Sequence, residues 1–395
     1  MKAAHPRTQT ASATALTLVV PAAAEAAYRI AGEVFAGYWR RITGRAARTV
    51  PATADAAASA AGDAVLLGDD AVNAWTHRLV ASRRVDTLGI RYGTDDYRLL
   101  SVADGGRTLL LVAGGCGRST LYGVYDFFRR RGGVDYFWDG DVFSREGPVD
   151  LANLDVRERP HFRYRGLRYF AHRGAHRFFP ETWSLDEWKR EIDWMVKRRL
   201  NLFMLRTGTD DLFQRAFGLP YPPEDGIDPD DEKLEHKRTA LWPLRERARL
   251  RREVLAYARD RGLMSPEDTG AMTHWYAPTP SAMFERHPGL PLLNGQKTSW
   301  YDAKAMLVWD VADDRAMDLY WKLTETHIRE YGGGTPRFFH TIGLAERLYG
   351  ATDEENLQLK LYTLRRTQAW VRRHYPDTPL IIAGWDLMMW WKRAD

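Results

Sequence analysis

The chain has 395 residues, a formal charge of +5 and a single cysteine, Cys116. That length holds two domains and a large core. One cysteine excludes an intramolecular disulfide and a multi-cysteine zinc site, and it fits a reducing, cytoplasmic setting. The arginines are dispersed, as in Arg129-Arg130-Arg131, Arg198-Arg199 and Arg251-Arg252, each in or beside a predicted helix. A nucleic-acid partner, which needs a concentrated basic face, is therefore not expected. No membrane association is expected either, because no apolar run approaches a membrane span.

In chain order, Ala15–Val20 reads as a strand because a helix over Ala22–Thr43 follows at once. The same apolar run is short and interrupted for a secretory core. Tyr28, Ile30, Val34, Phe35 and Tyr38 line the helix, which stops near Gly44. Ala52–Gly62 is an alanine-rich loop. Thr87–Tyr92, Tyr97–Val102 and Thr108–Ala113 read as strands, with a turn at Asp104-Gly105-Gly106. Ser119–Arg131 then makes a helix. Gly114–Thr120, between strand and helix, has the outline of a phosphate loop. It lacks the Walker lysine and fails the dinucleotide spacing, so a tight turn is expected. Residues 1–150 thus form a small α/β domain, and 151–163 a linker.

Residues 164–395 alternate strand and helix. Strands fall near Arg165–Phe170, Asn201–Arg206, Leu263–Met272, Arg337–Thr341 and Leu380–Ala383. Helices fall near Leu185–Arg199, Leu244–Arg261, Asp313–Tyr331 and Glu354–His374. Ser184 with Glu187, and Thr352 with Glu355, have capping-box spacing. Gly262 and Gly332 stand where helix C-caps belong. Trp188, Ile192, Met195 or Val196, and Leu200 recur at helical spacing and lead directly into a buried strand. This alternation predicts a (β/α)8-type barrel. Closure takes eight units and about four and a half are visible, so the barrel is expected to be truncated after about strand five.

Trp188–Met195, running through Leu200–Leu205 to Thr207-Gly208, resembles the start of the barrel in family 89 glycoside hydrolases, the α-N-acetylglucosaminidases. There a Trp-x-Arg-Glu-Ile-Asp-Trp-Met helix runs into a strand ending in Thr-Gly. Leu121–Phe127, followed by Tyr136–Asp141, is similar to the accessory domain before the barrel in these enzymes and in α-glucuronidases. The resemblance implies an exo-acting α-glycosidase with an oligosaccharide or glycoconjugate substrate and no cofactor.

It also implies roles for particular residues. Glu346, after the fourth strand, matches the acid/base carboxyl of a Phe-Asn-Glu run. Ala345 replaces the asparagine that supports the sugar 2-substituent, so the sugar is not fixed by the match. The family takes its nucleophile from a later strand, and no acidic residue up to Asp395 matches it; Asp386 gains no such role. Trp385, in a Gly-Trp strand end, is a sugar-stacking residue or a core one. Arg168 and His172, with Tyr169 and Arg173, stand at or just after the first strand's end, where arginines suit an anionic sugar or structural support. Asp210 and Asp211 occupy the place of a Gln-Glu pair that binds sugar hydroxyls, and also fit a helix N-cap. His274 and Trp275, with Glu267, Asp268 and Tyr276, form a polar-aromatic cluster around the third strand's end. His172 and His176 have i, i+4 spacing, but Gly174 opposes a helix and no third ligand is evident, so no metal site is expected. The alternatives are an α-glucuronidase-like hydrolase, a non-catalytic carbohydrate-binding protein, or an inactive fragment lacking the nucleophile.

Overall fold

The computed structural model describes residues 16–53, 62–170, 183–206, 210–222, 242–265, 267–268, 279–293, 309–310, 312–341, 344 and 350–382. The chain divides into two compact units. One comprises Met1–Arg165, Asp193–Asn201 and Asp260–Leu263; the other comprises Gly166–Ile192, Leu202–Arg259 and Met264–Asp395.

The first unit is built on a six-stranded sheet: β1 (Thr17–Val20), β2 (Arg48–Pro51), β3 (Ala64–Leu67), β4 (Tyr97–Asp104), β5 (Arg107–Gly114) and β8 (Asp155–Glu158), in the order β2-β1-β3-β5-β4-β8. β2, β1, β3 and β5 are parallel; β4 runs antiparallel to β5 and β8. All of Ala64–Leu67 is buried without alternation, as in a strand covered on both faces. Helix α2 (Ala74–Ala81) packs Trp75 and Leu79 on the face carrying Val19, Leu66, Leu109 and Leu111. Asn73 caps α2, its side chain accepting from the amides of Trp75 and Thr76. On the opposite face, Gly123 of helix α3 (Gly117–Phe127) passes so close that a Cβ there would meet Val112 at 2.7 Å. Helix α1 (Ala26–Thr43) lays Phe35 on Phe127 of α3, ring centroids 5.7 Å apart. It ends at Gly44 in the left-handed conformation.

Several expectations need correction here. Thr87–Tyr92 is not a strand. Its polar backbone groups are taken by side chains: Arg98 Nη1 donates to the Thr87 carbonyl at 2.7 Å, and the Arg91 amide donates to Asp96 at 3.2 Å. The helix placed over Ser119–Arg131 starts at Gly117, stops at Phe127 and continues as a π turn over Phe128–Gly132. The aromatic-acidic segment that follows is a hairpin, β6 (Val134–Phe137) with β7 (Gly140–Phe143). Arg129 and Arg130 both bond to the buried carboxylate of Asp126. The tight turn at Gly114-Gly115 is real. A Cβ on Gly114 would lie 2.2 Å from the Thr120 amide nitrogen, and one on Gly115 2.2 Å from the Arg91 carbonyl oxygen. The amide of Gly117, at the N-terminus of α3, is bonded by the Glu25 carboxylate at 2.9 Å, where a phosphate loop would hold its anion.

Asp95 gathers distant parts of this unit. Arg118 reaches it at 2.6 and 2.9 Å, Arg165 at 2.6 Å and Asn201 Nδ2 at 2.7 Å. Arg118 also donates to the Gly262 carbonyl. Burial by itself would push the Asp95 carboxyl up, but the Arg118 and Arg165 guanidiniums hold it below the ordinary range.

Among the described residues, the second unit contains five short strands: β9 (Gly166–Phe170), β10 (Leu202–Arg206), β11 (Glu267–Asp268), β12 (Phe339–Thr341) and β13 (Leu380–Ile382). β9 pairs with β10, and β11, β12 and β13 pair in turn, all parallel. Leu202 bridges to Met264, just ahead of β11, and the Phe203 amide donates to the Met264 carbonyl at 2.9 Å. The strands therefore lie side by side in chain order, as in the wall of a (β/α) barrel. Between them run α4 (Leu185–Lys197), α5 (Leu212–Phe217), α6 (Leu244–Asp260), α7 (Ser281–Arg286), α8 (Asp314–Glu330) and α9 (Asp353–His374). Trp188, Ile192, Met195 and Val196 are all buried, as the spacing in α4 required.

Both capping boxes form. The Ser184 amide donates to Glu187 at 2.7 Å, and the Glu355 amide to Thr352 Oγ1 at 3.2 Å. Gly262 takes the left-handed conformation expected of it, φ 75°. Gly332 does not: Gly333, φ 81°, and Gly334, φ 86°, are left-handed, after the amides of both Tyr331 and Gly332 have bonded to the His327 carbonyl. Of the third strand expected over Leu263–Met272, Glu267–Asp268 is strand, so these two residues lie in it and not after it, and 266 and 269–272 lie outside the described residues. No helix among the described residues is long and apolar enough to cross a membrane.

Candidate active site

Alternation along the strands sorts their two faces. Tyr169 of β9 packs on Trp188 with ring centroids 5.3 Å apart, and on Phe203 of β10 at 5.4 Å. Phe339 of β12 packs on Tyr375 at 5.4 Å. These residues face the helices. Arg168, Met204 and His340, their neighbours in sequence, face the other side. Arg168 and Met204 are register partners, and His340 is registered with Asp268 and Ile381. Arg168 is half-buried within β9, short of the strand end where the sequence placed it; His340 is 2% exposed. Sequence reasoning included His340 in a strand but did not single it out.

In barrel enzymes the reactive groups gather at the carboxyl ends of the strands. Of the residues expected there, Glu346, Trp385, His172, His274 and Trp275 lie outside the described residues. Asp210 and Asp211 are within them, just beyond β10. Asp210 has φ 46°, the left-handed region that side chains other than glycine seldom adopt, and its carboxylate stands 3.8 Å from Arg251 Nη1. Asp211 precedes α5, but its carboxylate does not cap that helix. Instead it accepts from Arg215 Nε at 3.0 Å, the Tyr221 hydroxyl at 2.9 Å, the Tyr331 hydroxyl, and Arg252 Nη1 at 3.5 Å. Burial, together with the Asp210 and Asp211 carboxylates, pushes the Tyr331 hydroxyl far above its ordinary range, so it stays a donor. The side chain of Asp211 is 2% exposed.

One polar pair was missed. The Tyr169 hydroxyl donates to Glu191 at 2.5 Å in the buried layer between β9 and α4. A signal existed: Glu191 falls three residues after Trp188 and one before Ile192, on the apolar face of an amphipathic helix. A groove of about 550 Å³ lies among Ala216, Trp321, Lys322, Glu325, Arg329 and Trp370, all on helices α5, α8 and α9. Among the described residues no group of three His, Cys, Asp or Glu side chains is arranged to hold a metal ion.

The parallel strands in chain order and the helices between them are arranged as in a (β/α) barrel. No family model matches the chain. Over 130 residues, 33% of its length, it is 26% identical to human α-N-acetylglucosaminidase, covering 17% of that protein. It resembles in structure the family 89 glycoside hydrolase of Clostridium perfringens in complex with 2-acetamido-1,2-dideoxynojirmycin. The TM-score is 0.60 at 14% identity, over 92% of this chain and 37% of that one. A form of the C. perfringens enzyme with two Glu→Gln substitutions, in complex with its substrate GlcNAc-α-1,4-galactose, gives a TM-score of 0.58 at 13% identity, over 91% of this chain and 38% of that one. The resemblance to family 89 therefore stands at the level of fold. The chain spans less than two fifths of the length of these relatives.

Proposed function

We propose that the chain carries an accessory domain that takes in β8 (Asp155–Glu158), within the stretch 151–163 expected to be a linker, and, over 164–395, the first five strands of a catalytic barrel. Its activity is exo-acting α-glycoside hydrolysis of the α-N-acetylglucosaminidase type. The observation that carries this reading is the order of β9 to β13, parallel and sequential, in a fold whose relatives hold glycan ligands. Glu346 follows β12 in the chain and is the general acid, protonating the departing glycosidic oxygen. A retaining reaction needs a second carboxylate about 5–5.5 Å away to attack the anomeric carbon. In this reading it comes from a later strand than these five. A relative that holds its substrate once two glutamates are replaced by glutamine is consistent with such a pair. Trp385 would stack on the sugar.

Arg168, on the same face of the strands as His340, favours a second reading with an anionic sugar, since a guanidinium binds a carboxylate in a fork. The test is hydrolysis of 4-nitrophenyl α-N-acetylglucosaminide beside 4-nitrophenyl α-glucuronide by the full-length protein. Proton NMR follows the anomer released first. Release of the α-anomer from the first substrate supports the main reading, and preference for the second moves the assignment to uronic acids. Failure to hydrolyse any aryl α-glycoside would overturn both.

A further inference from the structure

The resemblance stated for the sequence implies that Asp211 binds a sugar hydroxyl, yet its surroundings suit another task. An ionised carboxylate offers about four lone-pair sites. Four donors address those of Asp211, from α5 (Arg215), the segment after α5 (Tyr221), α6 (Arg252) and the end of α8 (Tyr331). No acceptor site is left for a sugar hydroxyl, and the side chain is closed off from solvent. The preceding residue, Asp210, holds a left-handed backbone conformation, which persists only where the surroundings over-determine it. Arg251 stands beside it, buried, with Nε and Nη1 making no hydrogen bond.

From this geometry we infer that Asp211 is a positioning residue. It fastens the start of α5 to α6 and α8, and so fixes Asp210 and Asp211 just beyond β10, at the strand ends where the glycosidase reading puts the substrate. Tyr331 is the buried one of its two neutral donors, Tyr221 being the other. The inference rests on the glycosidase reading. Tyr331 is itself buried and cannot meet a substrate, so it acts only through Asp211.

The experiment measures kcat and KM of the full-length protein on 4-nitrophenyl α-glycosides for Tyr331→Phe, Asp211→Asn and the double variant, with Tm alongside. Tyr331→Phe removes one hydroxyl from a ring that stays packed, so it remains informative if Asp211→Asn fails to fold. Each single variant is expected to raise KM roughly 3–10-fold, about the worth of one net hydrogen bond, with kcat little changed. The double variant should be no worse than Asp211→Asn alone, because both changes remove the same coupling. A lower Tm with KM unmoved would make the hub structural only and overturn the inference. So would a raised KM in Asp211→Asn with none in Tyr331→Phe, which is the pattern of direct sugar contact. A wild-type protein that neither binds nor hydrolyses the glycosides would strike down the glycosidase reading and this inference with it; an active protein with unmoved KM strikes down this inference alone.

Discussion

Replacing Asp95 with alanine removes the one carboxylate shared by Arg118, Arg165 and Asn201. Its side chain is 5% exposed, and those of Arg118 and Arg165 are 13% and 16% exposed. The substitution therefore strands two guanidiniums in a poorly solvated place. Breaking a buried pair by removing one partner costs about 3–5 kcal/mol, well above the worth of an exposed pair. At about 2–4 °C per kcal/mol for a domain of 150–250 residues, the melting temperature should fall on the order of 6–20 °C. Asp95→Asn, which keeps one acceptor but loses the charge, should fall in between. Thermal melts followed by circular dichroism, with urea midpoints for comparison, measure this. A Tm for Asp95→Ala within about 2 °C of wild type would refute the reasoning, since the network would then be an exposed one in effect.

Gly114→Ala should destabilise by about 1–3 kcal/mol or more, because the obstacle at 2.2 Å is the backbone nitrogen of Thr120, which has no rotamer to yield; an unchanged urea midpoint would contradict this. Acid should also unfold the first unit. The Asp95, Asp96, Asp126 and Asp155 carboxyls are all held below their ordinary range by arginines, against the opposing effect of burial. A depressed folded pKa gives stability that is present above the unfolded value, about 3.9, and lost as pH falls through the folded one. The Tm should thus drop steeply below about pH 4, and equal melts at pH 7 and pH 3 would rule the effect out.

The parts of the fold that could be read from the sequence are those fixed by local chemistry. Ser184 with Glu187 and Thr352 with Glu355 announce helix starts within one turn, and the α4 stripe from Trp188 to Val196 announces which face is buried. β3 was missed because Ala64–Leu67, buried on both faces, has no alternation and follows an alanine-rich stretch. α2 was missed although Asn73 was there as its cap. Thr87–Tyr92 has strand composition, but Arg98 and Asp96 claim its backbone groups, and such claims are invisible to a local pattern. The site divides in the same way. Position after a strand is local and pointed to Asp211. The meaning of Asp211 depends on Tyr221, Arg252 and Tyr331, which lie 10, 41 and 120 residues away.

The most direct measurement replaces Glu346 with glutamine in the full-length protein and compares leaving groups. An amide cannot donate the proton, so hydrolysis of glycosides with poor leaving groups should fall about 10²–10⁴-fold. Activated aryl glycosides should suffer less, since their leaving groups need little protonation. The pH–rate profile should lose its alkaline limb, which reports deprotonation of the acid. Unchanged rates and an unchanged profile in Glu346→Gln would make Glu346 an ordinary surface carboxylate and contradict its role as the acid.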